Sequence, residues 1–135
     1  MPLSAAGGDY LEALLSLTET KQPVYAVDLA RRLGVSRASV SRAVAGLCKN
    51  GYVVRTGKVL CLSGPGREAA LLVRGKQRYF EELLCEAGLP ADCARTEAYR
   101  VRHAVSPAAY AQLRAAKDRK KSAQSRNFEK TVDKA

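Results

Sequence analysis

The stretch that decides the fold is residues 26–50, AVDLARRLGVSRASVSRAVAGLCKN. Residues 28–33 have the spacing of a compact amphipathic helix. Gly34 follows this helix, and glycine accepts the positive φ needed just past a helix C-terminus. Ser36 can then cap a second helix through its hydroxyl. The sequence therefore predicts two short helices joined by a tight turn, with the second helix over about residues 36–49.

The second helix has an apolar face and a small, polar and basic face. The apolar face, spaced i, i+4, i+7, consists of Val40, Val44 and Leu47. On a helical wheel the opposite face carries Ala38, Arg42, Ala45 and Lys49, flanked by Ser39 and Ser41. Small side chains allow close approach to a DNA major groove, and hydroxyls and cations reach phosphates and base edges. This pattern predicts the recognition helix of a helix-turn-helix; an ordinary surface helix hairpin is the alternative.

Two β-branched runs, residues 51–55 and 58–62, follow the helix pair and are joined by Thr56-Gly57. Such runs around a glycine-containing pair predict a β-hairpin. A helix-turn-helix followed by a hairpin is a winged helix. Arg55 and Lys58 flank the hairpin tip, where a wing would meet the phosphate backbone.

The predicted DNA contacts divide by role. We expect base and phosphate contacts from Ser36, Ser39, Ser41 and Arg42, and backbone contacts from Arg37, Arg55 and Lys58. Ala38 would face thymine methyl groups or allow close approach, and Lys49 lies on the same face. Overall charge agrees, because 23 Lys and Arg against 13 Asp and Glu give a net charge of +10. A strongly basic chain favours an anionic partner, most often nucleic acid.

Several other classes of protein are disfavoured. Residues 1–10 resemble no signal peptide, and no long apolar run could span a membrane, so we expect a cytoplasmic protein without a membrane partner. An enzyme is not expected, since the chain has one His, no nucleophile–base pair and no glycine-rich phosphate loop. The four cysteines have no metal-site spacing and are expected to be small core residues.

The chain as a whole is predicted to be mainly α-helical, with a winged-helix domain followed by a helical dimerisation domain. The expected segments are a flexible N-terminus (1–8), the winged helix (9–63), a helical linker and dimerisation domain (64–113) and a basic tail (114–135). The helical domain would contain one long helix over about 65–86 and two shorter ones. The residues expected to form the dimer contact are Tyr79, Phe80, Leu83, Leu84, Tyr99 and Val101.

The order of these elements resembles the diphtheria toxin repressor family, especially its short manganese transport regulator branch. The matching blocks are Asp9-Tyr10-Leu11-Glu12, Asp28-Leu29-Ala30, Val35-Ser36-x-x-Ser39-Val40, Leu62-Ser63-x-x-Gly66 and Glu97-Ala98-x-Arg100-x-x-His103-x-x-Ser106. The resemblance spans roughly residues 9–113. It implies a homodimeric repressor that binds a palindromic operator in double-stranded DNA, with Mn²⁺ or Fe²⁺ as the cofactor.

The resemblance also implies a metal site, and this chain departs from it at half of the positions. Asp9, Glu12 and His103 match family ligands, and His103 is the only His in the chain. The other three ligand positions are occupied by Gln77, Tyr99 and Arg102. Arginine stays protonated and cannot ligate a metal. At about 4 Å and an effective dielectric of about 20, it would be repelled by a dication by about 8 kcal/mol.

The sequence leaves three interpretations of the altered site open. In the first, Arg102 pairs with Asp9 and Glu12 and replaces the charge of the metal. In the second the site is vestigial and Arg102 points to solvent, and in the third the site is remodelled for another ligand. We therefore predict a DNA-binding regulator with a weak or absent response to Mn²⁺ and Fe²⁺ and no required cofactor. The alternatives are a metal-dependent repressor that uses the reduced set Asp9, Glu12 and His103, and a winged helix that serves as a protein-interaction module.

Overall fold

The computed structural model describes residues 3–133, with side chains described for residues 3–127. In chain order the elements are α1 (Ala5–Thr20), α2 (Ala26–Leu33), α3 (Arg37–Lys49), β1 (Val53–Thr56), β2 (Val59–Leu62), α4 (Gly64–Glu86), α5 (Ala91–Ala104) and α6 (Pro107–Asp133). The chain forms two compact units, Met1–Gly75 and Lys76–Ala135, so the division falls within α4 rather than at residue 63. The predicted fold class, mainly α with a winged helix, is confirmed.

The helix-turn-helix forms as the sequence predicts. α2 ends at Gly34, whose φ of 65° is the left-handed conformation that glycine tolerates. Ser36 caps α3 by accepting a hydrogen bond from the Ser39 backbone N–H at 3.1 Å. The three apolar positions of α3 are buried: Val40, Val44 and Leu47.

The wing is a two-stranded antiparallel hairpin in which Val53 pairs with Leu62 and Thr56 pairs with Val59. Its turn residues are Gly57 and Lys58, one position later than predicted, because Gly57 provides the positive φ (61°) that a two-residue turn requires.

The start of α4 is packed closely against the residue that precedes the wing. Ser63 Oγ accepts from the Gly66 N–H at 3.1 Å and donates to the Gly51 carbonyl at 2.6 Å. A Cβ on Gly66 would lie 2.0 Å from the Tyr52 carbonyl oxygen. Residue 66 must therefore lack a side chain, which explains the glycine of the Leu62-Ser63-x-x-Gly66 block.

The first helix starts earlier than the sequence suggested. α1 begins at Ala5 and is capped by Ser4, so residues 4–8 are helical or capping and the prediction of a flexible segment over residues 1–8 is wrong for this part. Gly7 and Gly8 are buried, and a Cβ on Gly8 would lie 3.0 Å from Val73 Cγ2. A Cβ on Gly7 would lie 2.9 Å from Leu3 Cδ1, so close packing, against α4 for Gly8 and against Leu3 for Gly7, accounts for the glycine pair. Residues 1 and 2 lie outside the described residues.

Each unit has its own apolar core. Thirteen buried residues form the core of the first unit: Leu11, Ala13, Leu14, Leu15, Val24, Leu29, Ala30, Val40, Val44, Leu47, Val53, Leu60 and Ala70. The second unit buries Tyr79, Phe80 and Ala98, with Leu84, Val101, Val105 and Tyr110 packed around them. A core of mainly Leu, Val and Ala agrees with the low aromatic content.

α6 continues to Asp133, so the described part of the basic tail is helical. Cys48 is half-buried and packs against the core of the first unit. The expectation of core cysteines is wrong for Cys61, Cys85 and Cys93, which are exposed on β2, α4 and α5. Composition alone cannot reveal which side of an element faces solvent. No helix in residues 3–133 is both long and apolar enough to cross a membrane.

Candidate DNA interface and metal-site positions

The recognition helix α3 presents the predicted face to solvent. The exposed residues are Arg37, Ala38, Ser41, Arg42, Ala45 and Lys49. Burial of Val40, Val44 and Leu47 against the core fixes the rotation of α3 about its axis. The small and basic residues are therefore turned outward together.

Ser36 and Ser39 form a local pair at the N-terminus of α3. The Ser36 hydroxyl accepts from the Ser39 N–H and donates to Ser39 Oγ at 3.0 Å. The Ser36 hydroxyl therefore already has a donor and an acceptor within the helix start, and its main role is the helix cap. Ser39 keeps its own hydroxyl proton for an outside acceptor.

A groove of about 550 Å³ lies between the two helices and the wing. Its lining residues are Tyr25, Ala26, Val27, Arg37, Ser41, Arg55, Gly57, Lys58 and Leu60. Three of them are cations and none is a carboxylate, so the groove is a positively charged channel. The structure thus brings together Arg37 and Ser41 from α3 with Arg55 and Lys58 from the wing, which sequence reasoning had assigned to DNA separately.

Tyr25 is a groove residue that the sequence analysis missed. It is 37% exposed and precedes α2, and Lys21 Nζ lies 5.3 Å from the centre of its ring. Nothing in the local sequence marks it, because its position depends on the wing folding back beside α2. An aromatic ring with a hydroxyl at the wall of a basic groove is suited to contact a sugar-phosphate backbone.

Asp28 holds the start of α2 in place. It is the buried charged residue of the described structure, and its Oδ2 accepts from the Tyr25 N–H at 2.8 Å and from Lys21 Nζ at 3.0 Å. The Tyr25 backbone hydrogen bond, followed by the Lys21 interaction, lowers the pKa of Asp28 below its ordinary value. A carboxylate at this position also suits the positive end of the helix dipole. Asp28 therefore positions Tyr25 and one wall of the groove.

Two of the six metal-site positions lie on α1 in the first unit. Asp9 and Glu12 are both half-buried. Glu12 Oε1 accepts from Ser16 Oγ at 2.8 Å and lies 3.4 Å from Arg74 Nε. Arg74 was not singled out from the sequence, since it is 62 positions away from Glu12. One predicted ligand is thus already paired with a cation within its own unit.

The other four positions lie in the second unit. Gln77 Nε2 donates to Glu81 Oε1 at 2.8 Å and to the Arg95 carbonyl at 3.1 Å, whereas its Oε1 is buried without a hydrogen-bond partner. The Arg102 guanidinium lies 4.7 Å from the centre of the Tyr99 ring. His103 Nδ1 lies 2.6 Å from the Tyr99 carbonyl oxygen. The pairing of Arg102 with Asp9 and Glu12 stays a prediction.

These residues do not fit the expected donor set for Mn²⁺ or Fe²⁺. The Glu12 carboxylate faces a guanidinium, and an amide, a phenol and a second guanidinium stand at three ligand positions. In the described part of the chain, no three His, Cys, Asp or Glu side chains form a group that could hold a metal ion. Hard carboxylate and imidazole ligands are what these ions require.

The predicted dimer residues have unequal exposure. Tyr79 and Phe80 are 8% and 5% exposed and pack edge-to-face within the chain, with ring centres 5.0 Å apart. Leu83 and Tyr99 are 48% and 49% exposed. Tyr79 and Phe80 therefore serve the core of their own chain, and the side chains open to a partner are Leu83 and Tyr99.

Comparison with known proteins now adds to this geometry. Residues 3–58 match the family described as iron dependent repressor, N-terminal DNA binding domain. A manganese-dependent transcriptional repressor, solved in complex with manganese, is 32% identical with a TM-score of 0.71. Residues 3–58 are thus similar to the N-terminal DNA-binding domain of iron-dependent repressors. The resemblance to the diphtheria toxin repressor family is therefore confirmed.

Other solved structures support the same iron-dependent repressor fold. The manganese regulator SloR is 25% identical with a TM-score of 0.67, and the alignment covers 84% of this chain and 53% of SloR. IdeR of T. acidophilum, at 24% identity and a TM-score of 0.68, shows the likeness of fold alone, over 78% of this chain and 50% of that one. The first relative is matched over 81% of this chain and 51% of its own length, so this chain spans about half of the repressors it matches. No curated protein matches the sequence. The matched proteins are transcriptional regulators and not enzymes.

Proposed function

We propose that this chain is a sequence-specific, DNA-binding transcriptional repressor that acts as a homodimer on a palindromic operator in the cytoplasm. We further propose that it binds its operator without Mn²⁺ or Fe²⁺. The first statement follows the function of the manganese-dependent repressor that it resembles. The second departs from that relative because of the altered ligand positions.

The observation that carries the DNA-binding proposal is the basic groove beside α3. Arg37, Arg55 and Lys58 line it together, and the exposed face of α3 continues from it with Arg42 and Lys49. A helix in the major groove and a basic wing on the backbone divide the contacts between base readout and phosphate positioning. Ala38 and Ala45 leave the centre of the helix face small enough for close approach.

Dimerisation is supported by apolar side chains that one chain leaves exposed in the second unit. Leu83 and Tyr99 are about half exposed, and Leu113 is 38% exposed. Two copies related by a two-fold axis would cover such residues and present two recognition helices to a palindromic site. Val101 and Leu84 are half-buried in the core of the second unit and would support this surface.

The metal-independence proposal rests on the chemistry of the altered positions. Gln77, Tyr99 and Arg102 supply neither a carboxylate nor an imidazole, and Arg74 already faces Glu12. A metal would have to displace the Arg74 guanidinium to use Glu12 as a ligand. The single observation that supports it most directly is the 3.4 Å contact between Arg74 Nε and Glu12 Oε1.

The experiment is operator selection followed by quantitative binding. The full chain is used to select DNA from a random library in EDTA and again in Mn²⁺, and the affinity of the selected site is measured by fluorescence anisotropy. We expect one palindromic sequence from both selections and affinities that agree within about threefold, a difference of under about 0.7 kcal/mol. Selection only in Mn²⁺ would overturn metal independence, and no selection in either would favour a protein-interaction module.

A second candidate function is a metal-responsive repressor with the reduced set Asp9, Glu12 and His103. The observation in its favour is the 2.6 Å contact of His103 Nδ1 with the Tyr99 carbonyl. In a neutral imidazole, an Nδ1–H that donates to a carbonyl leaves Nε2 as the free ring nitrogen, which is the tautomer a metal-binding His uses. The same Mn²⁺ comparison distinguishes the two candidates.

A further inference from the structure

A four-residue polar cluster joins α1 to α4 within the first unit. Glu12, Ser16 and Glu19 lie at i, i+4 and i+7 on one face of α1, and Arg74 reaches them from α4. Arg74 Nη1 and Nη2 contact the two oxygens of Glu19 at 3.1 and 2.6 Å. The same guanidinium lies 3.2 Å from Ser16 Oγ and 3.4 Å from Glu12 Oε1.

Arg74 donates hydrogen bonds from all three of its guanidinium nitrogens within this cluster. The contact with Glu19 is two-pronged, which gives direction as well as attraction. Ser16 donates to the same Glu12 oxygen that faces Arg74, so serine links the carboxylate to the cation through a second route. The side chain of Arg74 is only 18% exposed and that of Glu12 only 23%. Contact with Glu19, and secondarily with Glu12, raises the pKa of Arg74 above its ordinary value.

The location of this cation matters because Glu12 stands at a family metal-ligand position. A divalent ion bound to Glu12 and the guanidinium of Arg74 would compete for the same carboxylate and would repel each other. The cluster lies entirely inside the winged-helix unit, and it links α1 to the part of α4 that follows the wing. The charge that a metal would bring to α1 is therefore already present in the chain.

We propose that Arg74 is the built-in cation that neutralises Glu12 and holds α1 against α4, so that this part of the repressor keeps its DNA-binding form without a metal ion. This inference rests on the proposed repressor function and names a positioning residue for it. The consequence for regulation is that the Glu12 carboxylate, already paired with Arg74, is not available as a ligand for Mn²⁺. Arg74 differs from the predicted Arg102 replacement because its contacts lie within one unit.

The test measures operator affinity of the full chain in EDTA and in Mn²⁺ for Arg74→Gln, with Arg78→Gln as the matched control. Arg78 is on the same helix and is exposed, so the change in net charge is the same. We expect Arg74→Gln to lower affinity by about tenfold in both conditions, since a removed ion pair of this burial is worth roughly that much and Gln77, Tyr99 and Arg102 do not supply metal ligands. We expect Arg78→Gln to stay within about threefold of wild type in both conditions.

A double variant separates charge from packing. If Arg74 acts by neutralising Glu12, then Glu12→Gln together with Arg74→Gln restores affinity in EDTA, because the partly buried carboxylate of Glu12 is removed and Glu19 is about half exposed to solvent. A purely structural role would give a double variant as weak as Arg74→Gln, and that result would overturn the proposal. So would an Arg74→Gln variant that matches Arg78→Gln in EDTA.

Failure of the Arg74 proposal can be distinguished from failure of the repressor proposal. If the wild-type chain binds no DNA in either condition, the repressor function fails, and the same variants are compared by thermal unfolding. Arg74→Gln must then lower Tm more than Arg78→Gln does, and Glu12→Gln must reverse that loss; any other order of Tm values rejects the role of Arg74. If Arg74→Gln does not fold, Arg74→Lys, which keeps the charge but loses the fork, should fold and bind with a smaller loss.

Discussion

The two units of this chain differ in the size of the apolar core that each one buries. The winged-helix unit has a core of thirteen buried residues. The core of the second unit consists of Tyr79, Phe80 and Ala98. Both units also leave apolar side chains exposed, among them Leu72 in the first unit and Leu83 in the second. Since buried apolar area is the main stabilising term, we expect the first unit to contribute more to the stability of the chain.

The second unit relies more on polar and aromatic contacts. Lys117 Nζ bridges α6 to Glu82 of α4 at 2.6 Å, and this hydrogen bond lowers the pKa of Glu82. Tyr79 packs edge-to-face on Tyr110, with ring centres 5.8 Å apart. Such contacts specify how helices meet but contribute less than a large apolar core. In the proposed repressor, the first unit would read the DNA and the second would supply the dimer contact.

The largest effect should come from truncating the core of the first unit. Leu14 is 1% exposed, and Leu14→Ala should lower the free energy of unfolding by about 3 kcal/mol through lost burial and the cavity left behind. Leu83→Ala in the second unit is the matched comparison, with an expected cost within one copy of under about 0.5 kcal/mol but weaker self-association. Urea unfolding and sedimentation equilibrium measure the two quantities. Equal losses of stability would contradict the contrast between the units.

The next effect concerns the junction of the wing with α4. Gly66→Ala places a Cβ 2.0 Å from the Tyr52 carbonyl oxygen, so the backbone must shift. We expect a loss of about 2–3 kcal/mol in the free energy of unfolding, typical of overpacking. Gly64→Ala is the control, because a Cβ there meets nothing within 4 Å. A Gly66→Ala variant as stable as Gly64→Ala would show that this contact does not fix the wing.

A smaller effect is expected from Asp28, which holds the start of α2. Asp28→Asn should cost about 1–2 kcal/mol at pH 7, because the Lys21 ion pair and a charge-assisted hydrogen bond are lost. The pKa of Asp28 is lowered in the folded chain, so its contribution is fully present above the unfolded value of about 3.9. It is lost as pH falls through the lower folded pKa. Urea unfolding should therefore show a gap between wild type and Asp28→Asn that is constant from about pH 7 to 5 and narrows below about pH 4. A gap that widened on acidification would contradict this assignment.

The smallest effect on folding stability is expected from two surface variants, which instead test how the wing and α3 contribute to DNA binding. Lys58→Gln at the wing tip should weaken binding to all sequences alike and reduce the slope of log affinity against log salt by about 1. Arg42→Ala on α3 should instead relax preference at one base position, by about 1–3 kcal/mol if it pairs with a guanine. Anisotropy titrations over a series of salt concentrations and single-base operator variants measure both. Interchanged outcomes would mean that the wing, and not α3, reads the sequence.

Local patterns in the sequence predicted most of the winged helix. The spacing of Val40, Val44 and Leu47, the left-handed Gly34 and the Ser36 cap depend on neighbours within one or two turns, and all three are confirmed. The start of α1 was misplaced because Gly7 and Gly8 look like helix breakers. In the structure both glycines are closely packed, Gly8 against Val73 of α4 and Gly7 against Leu3. The exposure of Cys61, Cys85 and Cys93 was also not predicted, because residue type does not fix which side of an element faces the core.

The candidate DNA interface was also predicted only in part. The cations of the basic groove were predicted one by one, but Tyr25 was missed. The fold was needed to show that Arg37 and Lys58 line the same groove. The altered metal-site positions were predicted from the family resemblance, because the ability of a side chain to ligate a metal depends on its residue type. The partner of Glu12 was not visible, because Arg74 lies 62 positions away in the chain.

The sequence by itself determined that this chain has a helix-turn-helix followed by a hairpin with basic residues, because periodicity, caps and turn residues act over short distances. Only the tertiary structure decided that residue 66 must lack a side chain, that Asp28 accepts from the Tyr25 N–H at the wall of the groove, and that Arg74 lies 3.4 Å from Glu12. The groove and the contacts of residues 66 and 74 depend on residues distant in sequence, and such contacts form only when several elements have packed together.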